Sequence, residues 1–180
     1  MRSANRHRPD GAPQTLSAKL IWAARPFSIV ILLAICVAPA SAASLSRSVE
    51  VSGTPSEIWS RIGAFCAIRD WHPAIATCAE DEKTPPTRTL VTKDGKATFV
   101  ELQTASNDTK HLYGYTFVSS PLPVTHYQSI LKVTAKDSRH SVVTWSGEYK
   151  PEPGKEKDAD AALSGIYEAG LEAIKAKFAH

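Results

Sequence analysis

No apolar run in these 180 residues is long enough to cross a bilayer as a helix. The candidate, Phe27 to Val37, has about 11 residues, against the roughly 20 that a spanning helix needs. The body of the chain also lacks a basic excess. The formal charge is +3, but residues 1–42 hold five of the 21 basic residues (Arg2, Arg6, Arg8, Lys19, Arg25) and one acid, Asp10. The rest carries 16 basic and 17 acidic residues, a net of −1, so nucleic-acid binding has no electrostatic footprint. There is no Gly-rich phosphate loop, since Lys93-Asp94-Gly95-Lys96 reads as a hairpin turn. Ser146 lacks the preceding glycine and the following helix of a nucleophile elbow. His111, His126 and His140 show no metal-ligand spacing, so no metal is expected, and no cofactor is expected either. Repeats and low-complexity tracts are absent, and the length suits one domain.

What is present begins with a three-part leader. A basic, polar stretch runs through Arg25-Pro26, the apolar run follows, and Ala38-Pro39-Ala40-Ser41-Ala42-Ala43 supplies the small residues a signal peptidase accepts. The expectation is a signal peptide over 1–42, cleaved after Ala42, and one domain over 43–180 in the periplasm or secreted, with no transmembrane segment in the mature protein. The alternatives are an uncleaved anchor and a lipoprotein at Cys36, the latter opposed by bulky Ile35. Export would remove Cys36 and leave Cys66 and Cys78 as an even pair in an oxidising compartment. A disulfide between them, worth about 3 kcal/mol, is favoured over two buried thiols.

The rest is mostly strand. Leu45 to Val51 alternates apolar and polar. Thr54-Pro55-Ser56-Glu57 has the composition of a capping box with proline in the first turn, and Ile58, Trp59, Ile62 and Phe65 continue at helical spacing. That helical stretch is expected to end before Asp70-Trp71-His72-Pro73. Thr87 to Thr92 and Ala97 to Gln103 flank Asp94-Gly95, a two-residue turn signal that needs positive φ. Such a turn sets Leu90 opposite Phe99 and Arg88 opposite Glu101 on the same side of the sheet. Strands are also expected over 111–118, 126–134 and 141–149. A loop should cover 151–160. The final helix carries Leu163, Ile166, Tyr167, Gly170, Leu171, Ile174 and Phe178 as one stripe, with Asp158 or Asp160 as its cap.

Strand, short helical region, further antiparallel strands and a long terminal helix make an α+β fold with the helix lying on one face of the sheet. That order resembles the START-like helix-grip superfamily, also called SRPBCC or polyketide-cyclase-like, over roughly Leu45 to Phe178. Its most specific pieces are Phe65-Cys66-Ala67-Ile68-Arg69-Asp70-Trp71-His72-Pro73, Ser120-Pro121-Leu122-Pro123-Val124, Thr144-Trp145-Ser146-Gly147 and Gly165-Ile166-Tyr167-Glu168-Ala169-Gly170-Leu171. Together they are similar to a secreted proteobacterial subgroup that includes relatives of a periplasmic accessory factor of methanol oxidation. The resemblance implies a curved antiparallel sheet of about seven strands around the long C-terminal helix, with short helices after the first strand. It also implies a site for a lipid or other hydrophobic molecule between helix and sheet. A minority of the superfamily are enzymes, so the fold alone does not fix the function.

The candidate ligand-contacting residues are Arg88, Leu90, Phe99 and Glu101 from the hairpin, Tyr113, Tyr115, Tyr127 and Trp145 from the later strands, and Trp71. The Arg88–Glu101 pair on an inward face would orient a polar ligand group; otherwise the pair satisfies itself or faces solvent. The aromatic set serves equally as core packing. Asp70 and His72 are candidates for an acid/base pair, with a structural role for His72, bonded to backbone, as the competing reading. Three functions follow: a periplasmic carrier or sensor of a small hydrophobic or lipid-like molecule, an accessory protein for an exported redox enzyme, and a cyclase, dehydratase or isomerase type of enzyme.

Overall fold

The computed structural model describes residues 42–179. The leader expected over 1–42 lies outside the described residues except for Ala42. Strand β1 (Ala43–Ser52) leads into helix α1 (Pro55–Ile62), a 3-10 turn (Phe65–Ala67) and the one-turn helix α2 (Ile68–Trp71). Six strands follow: β2 (Ile75–Glu80), β3 (Thr87–Thr92), β4 (Thr98–Asn107), β5 (Leu112–Ser119), β6 (Val124–Ala135) and β7 (His140–Pro151). Helix α3 (Glu156–Lys177) ends the fold. The strands form one antiparallel sheet in the order β1-β7-β6-β5-β4-β3-β2. This is the helix-grip α+β architecture. Among the described residues, no helix is long and apolar enough to cross a membrane.

The capping box opens α1 as the residues require. Thr54 Oγ1 accepts from the Glu57 amide, and Glu57 Oε2 accepts from the Thr54 amide at 2.7 Å. Helical structure runs further than expected, because Asp70 and Trp71 belong to α2. It stops at His72, whose extended backbone (φ −83, ψ 121) is what Pro73 demands of the residue before it. Strand β2 has no alternation to mark it. It is an edge strand, and Ile75 is its only buried side chain. Its Cys78 is bonded to Cys66, which ties β2 to the 3-10 turn.

The β3–β4 register is the expected one, with Arg88 opposite Glu101 and Leu90 opposite Phe99. The turn is of a different type. Gly95 donates its amide to the Thr92 carbonyl (2.9 Å) and has φ +69, while Asp94 does not take positive φ. Any even-length loop centred between Asp94 and Gly95 gives the same pairing, so the register survives the change of turn.

Helix α3 lies over β1 and β7 and touches α2. Its stripe is buried as expected at Leu163, Tyr167, Gly170, Leu171 and Ile174. Neither Asp158 nor Asp160 caps it. The helix starts earlier, after Lys155, so both aspartates lie inside it, and Asp160 instead accepts the Tyr149 hydroxyl at 3.1 Å. A Cβ on Gly170 would come within 2.8 Å of both the His72 and Trp145 rings, so glycine is what lets α3 sit this close. Register shifts in β4 and β6 mark bulges, which bend strands.

Candidate functional site

Between α3 and the sheet lies a cavity of about 170 Å³. Leu90 and Phe99 line it from the β3–β4 hairpin, and Phe117 from β5. Leu163 and Ile166 close it from the helix. Ile68, Ala74 and Ile75 form the side nearest α2. Six polar-tipped side chains share the wall: His72, Thr92, Glu101, Tyr115, Tyr127 and Trp145. The cavity therefore gathers Leu90, Phe99, Glu101, Tyr115, Tyr127, Trp145 and His72 from the sequence candidates. Arg88, Tyr113, Trp71 and Asp70 are not on its wall.

Arg88 and Glu101 do point inward, at 0% and 4% exposure. Arg88 Nε donates to Glu101 Oε2 at 2.6 Å, and Nη2 lies 2.6 Å from the same oxygen without hydrogen-bonding alignment. Nη1 donates to the Phe65 carbonyl, and the guanidinium covers the Phe65 ring, 4.0 Å from its centroid. Burial raises the Glu101 carboxyl, with Arg88 opposing. Burial also works against the Arg88 charge, but the Glu101 carboxylate outweighs it and holds the guanidinium above its ordinary value. Protonating Glu101 would strand a permanently charged Arg88 in the core, so the two form an ion pair.

Asp70 and His72 do not form a pair. Asp70 is exposed and lies beside Arg69 at 3.4 Å. His72 is buried at 3% exposure. Its Nδ1 accepts from the Ala74 amide at 3.2 Å, so the ring proton sits on Nε2 and goes to the Ile166 carbonyl at 3.0 Å. Burial pushes this histidine's pKa down, and the Ile166 carbonyl opposes that. The acid/base candidate fails because Asp70, within the single turn of α2, faces solvent while His72, just past its end, turns into the core, and His72 takes the competing structural role, bonded to backbone.

The hydroxyls on the cavity's inner side form a relay that sequence reasoning missed. Ser129 Oγ donates to the Ser146 carbonyl at 2.9 Å. Its only proton is then used, so Tyr167, 2.8 Å away, donates to Ser129. Tyr127 then donates to Tyr167 at 2.8 Å, and Tyr115 to Tyr127 at 3.2 Å. The Trp145 indole N–H lies 3.0 Å from both Tyr115 and Ser129 oxygens. Burial raises the pKa of each tyrosine, Tyr167 to about 12, so all stay protonated at neutral pH. Tyr167 also stacks flat on Trp145, with centroids 4.5 Å apart and planes at 6°. Its signal in the sequence was a lone hydroxyl in an apolar helical stripe.

Among described residues there is no group of three or more His, Cys, Asp or Glu placed to hold a metal ion. Among proteins of curated function, none matches the chain. Solved structures do. The protein XoxI from Bacillus cereus is 34% identical, with a TM-score of 0.71, over 76% of this chain and 95% of that one. A protein from Bacillus thuringiensis is 32% identical, with a TM-score of 0.72, over 77% of this chain and 100% of that one. The Zhui aromatase/cyclase from Streptomyces sp. R1128, at 13% identity and a TM-score of 0.61 over 76% and 93% of the two chains, shares the fold. With residues 42–179 matching its family pattern, the chain belongs to the polyketide cyclase / dehydrase and lipid transport family.

Proposed function

We propose that the protein is an exported carrier that holds one small apolar molecule between α3 and the sheet. The carrying observation is the cavity itself. Its wall is largely aliphatic and aromatic, and its titratable groups are already engaged. His72 is bonded at both ring nitrogens, and Glu101 is held by Arg88. His72 has neither a free lone pair nor a free proton, and Arg88 stabilises the Glu101 anion and so weakens it as a base, which favours binding over the cyclase or dehydratase alternative. Affinity would come mainly from burial, at about 25 cal/mol per Å² of apolar surface. Export is supported by the leader pattern of residues 1–42 and by the Cys66–Cys78 bond, which suits an oxidising compartment.

The test is native mass spectrometry of protein purified from the periplasm, with small-molecule analysis of an organic extract. A stoichiometric apolar metabolite supports the carrier reading. Protein that is found in the periplasm but carries nothing and takes up no apolar probe counts against it. That outcome would favour the accessory role with an exported redox enzyme, to be sought by pull-down.

A further inference from the structure

Every proton on the six polar side chains of the cavity wall has a destination inside the protein. Thr92 donates to Asp94 Oδ1 at 2.7 Å. His72 Nε2–H goes to the Ile166 carbonyl. Tyr115 and Tyr127 donate along the relay that ends at the Ser146 carbonyl. The Trp145 N–H is shared by Tyr115 and Ser129. The backbone amides of Ala74 and Ile75 are both used on His72. Glu101, as the anion of a buried ion pair, has no proton. Its Oε1 accepts no hydrogen bond from any described residue, although Glu101 is only 4% exposed and forms part of the wall.

The cavity surface is thus almost wholly apolar and offers no free donor, and its one unpartnered acceptor among the described residues belongs to Glu101. We infer that it selects a small apolar molecule carrying its own hydroxyl, and that Glu101 Oε1 receives that hydroxyl's proton in a hydrogen bond. This rests on the carrier reading and narrows its ligand class. An ether or ketone of the same shape meets only acceptors and leaves its own oxygen buried and unpaired, which is costly. An ammonium group is disfavoured for a different reason. Arg88 already neutralises Glu101, so a cation would enter as an uncompensated buried charge. Size sets the other limit, since an apolar cavity of about 150 Å³ takes up benzene. The space here, about 170 Å³, fits one ring or a short branched chain.

Three single-ring probes of nearly the same shape separate the possibilities: p-cresol, toluene and 4-methylanisole. Each is titrated into the purified protein, with the fluorescence of Trp145 on the cavity wall as readout and ligand-observed NMR as a check. The expected order is p-cresol tightest, by about tenfold or more over toluene, as a hydrogen bond to a charged group gives, with 4-methylanisole weakest. In the paired variant Arg88→Met/Glu101→Leu, which leaves no stranded charge, p-cresol should lose its advantage over toluene. Toluene or 4-methylanisole binding as tightly as p-cresol overturns this inference while the carrier reading stands. A p-cresol preference that survives in the paired variant also overturns it. Binding of none of the three at millimolar concentration overturns both. The wild-type ranking alone decides the case if the variant does not fold.

Discussion

Arg88 and Glu101 face each other across β3 and β4 and meet at a single oxygen, with Arg88 Nε and Nη2 both 2.6 Å from Glu101 Oε2. The arginine sits behind the carboxylate, against Phe65, and off the cavity wall. Its part is to hold the carboxylate as an anion and in place, while the carboxylate's second oxygen is left over.

Removing one partner of this pair strands a buried charge. Glu101→Leu or Arg88→Met alone should cost about 3–5 kcal/mol in urea denaturation, and the paired variant less than either single change. A paired variant that loses the sum of the two would mean that they act independently.

His72 makes stability depend on pH. Its folded pKa is lowered by burial, so the unfolded chain binds the proton more readily. The stabilisation is complete above the unfolded value of about 6.5 and declines as pH falls through it toward the folded value. The slope is at most about 1.4 kcal/mol per pH unit. Urea midpoints from pH 8 to 5 should fall more steeply for the natural protein than for His72→Gln. Asp70→Asn should follow the natural curve, because Asp70 is not a partner of the ring.

Tyr167→Phe removes the centre of the hydroxyl relay and leaves the Tyr127 proton without an acceptor. The expected loss is about 1–3 kcal/mol. Gly147→Ala should cost a similar amount by a different route, since a methyl there lands on the Tyr167 hydroxyl. In a Tyr167→Phe background most of the Gly147→Ala cost should vanish. Additive costs in a double-mutant cycle would place the clash elsewhere.

The Cys66–Cys78 bond closes a short loop, with the two cysteines 12 apart in sequence, and fastens the edge strand β2. Its replacement by Cys66→Ser/Cys78→Ser should lower stability by about 3 kcal/mol. Thermal melts of the two proteins under non-reducing conditions measure this directly. Addition of reductant should bring the natural protein to the variant's midpoint and leave the variant unmoved.

Much of the fold was legible along the chain because one face of each element is wet and the other dry. Tyr127, Ser129, Leu131 and Val133 alternate inward on β6, and Leu163, Tyr167, Leu171 and Ile174 form the inner stripe of α3. The inward placement of Arg88 and Glu101 followed from one turn, and it held although the turn type differed. β2 escaped because an edge strand with a single buried side chain carries no period. The caps expected at Asp158 and Asp160 failed because α3 begins at Glu156, about two turns before the stripe that starts at Leu163.

The sequence by itself determined most of the elements and their order, the β3–β4 register and many of the residues that face inward, since each of these is a periodic or local property of one stretch of chain. Only the tertiary structure decided which inward residues border a cavity and which fill the core, so that Glu101 and Tyr115 reach the wall while Arg88 and Tyr113 do not. It also decided the direction of every proton in the relay, from Tyr115 on β5 through Tyr127, Tyr167 and Ser129 to the Ser146 carbonyl on β7. A hydroxyl can give or receive, and which it does depends on the acceptors that distant segments bring within reach.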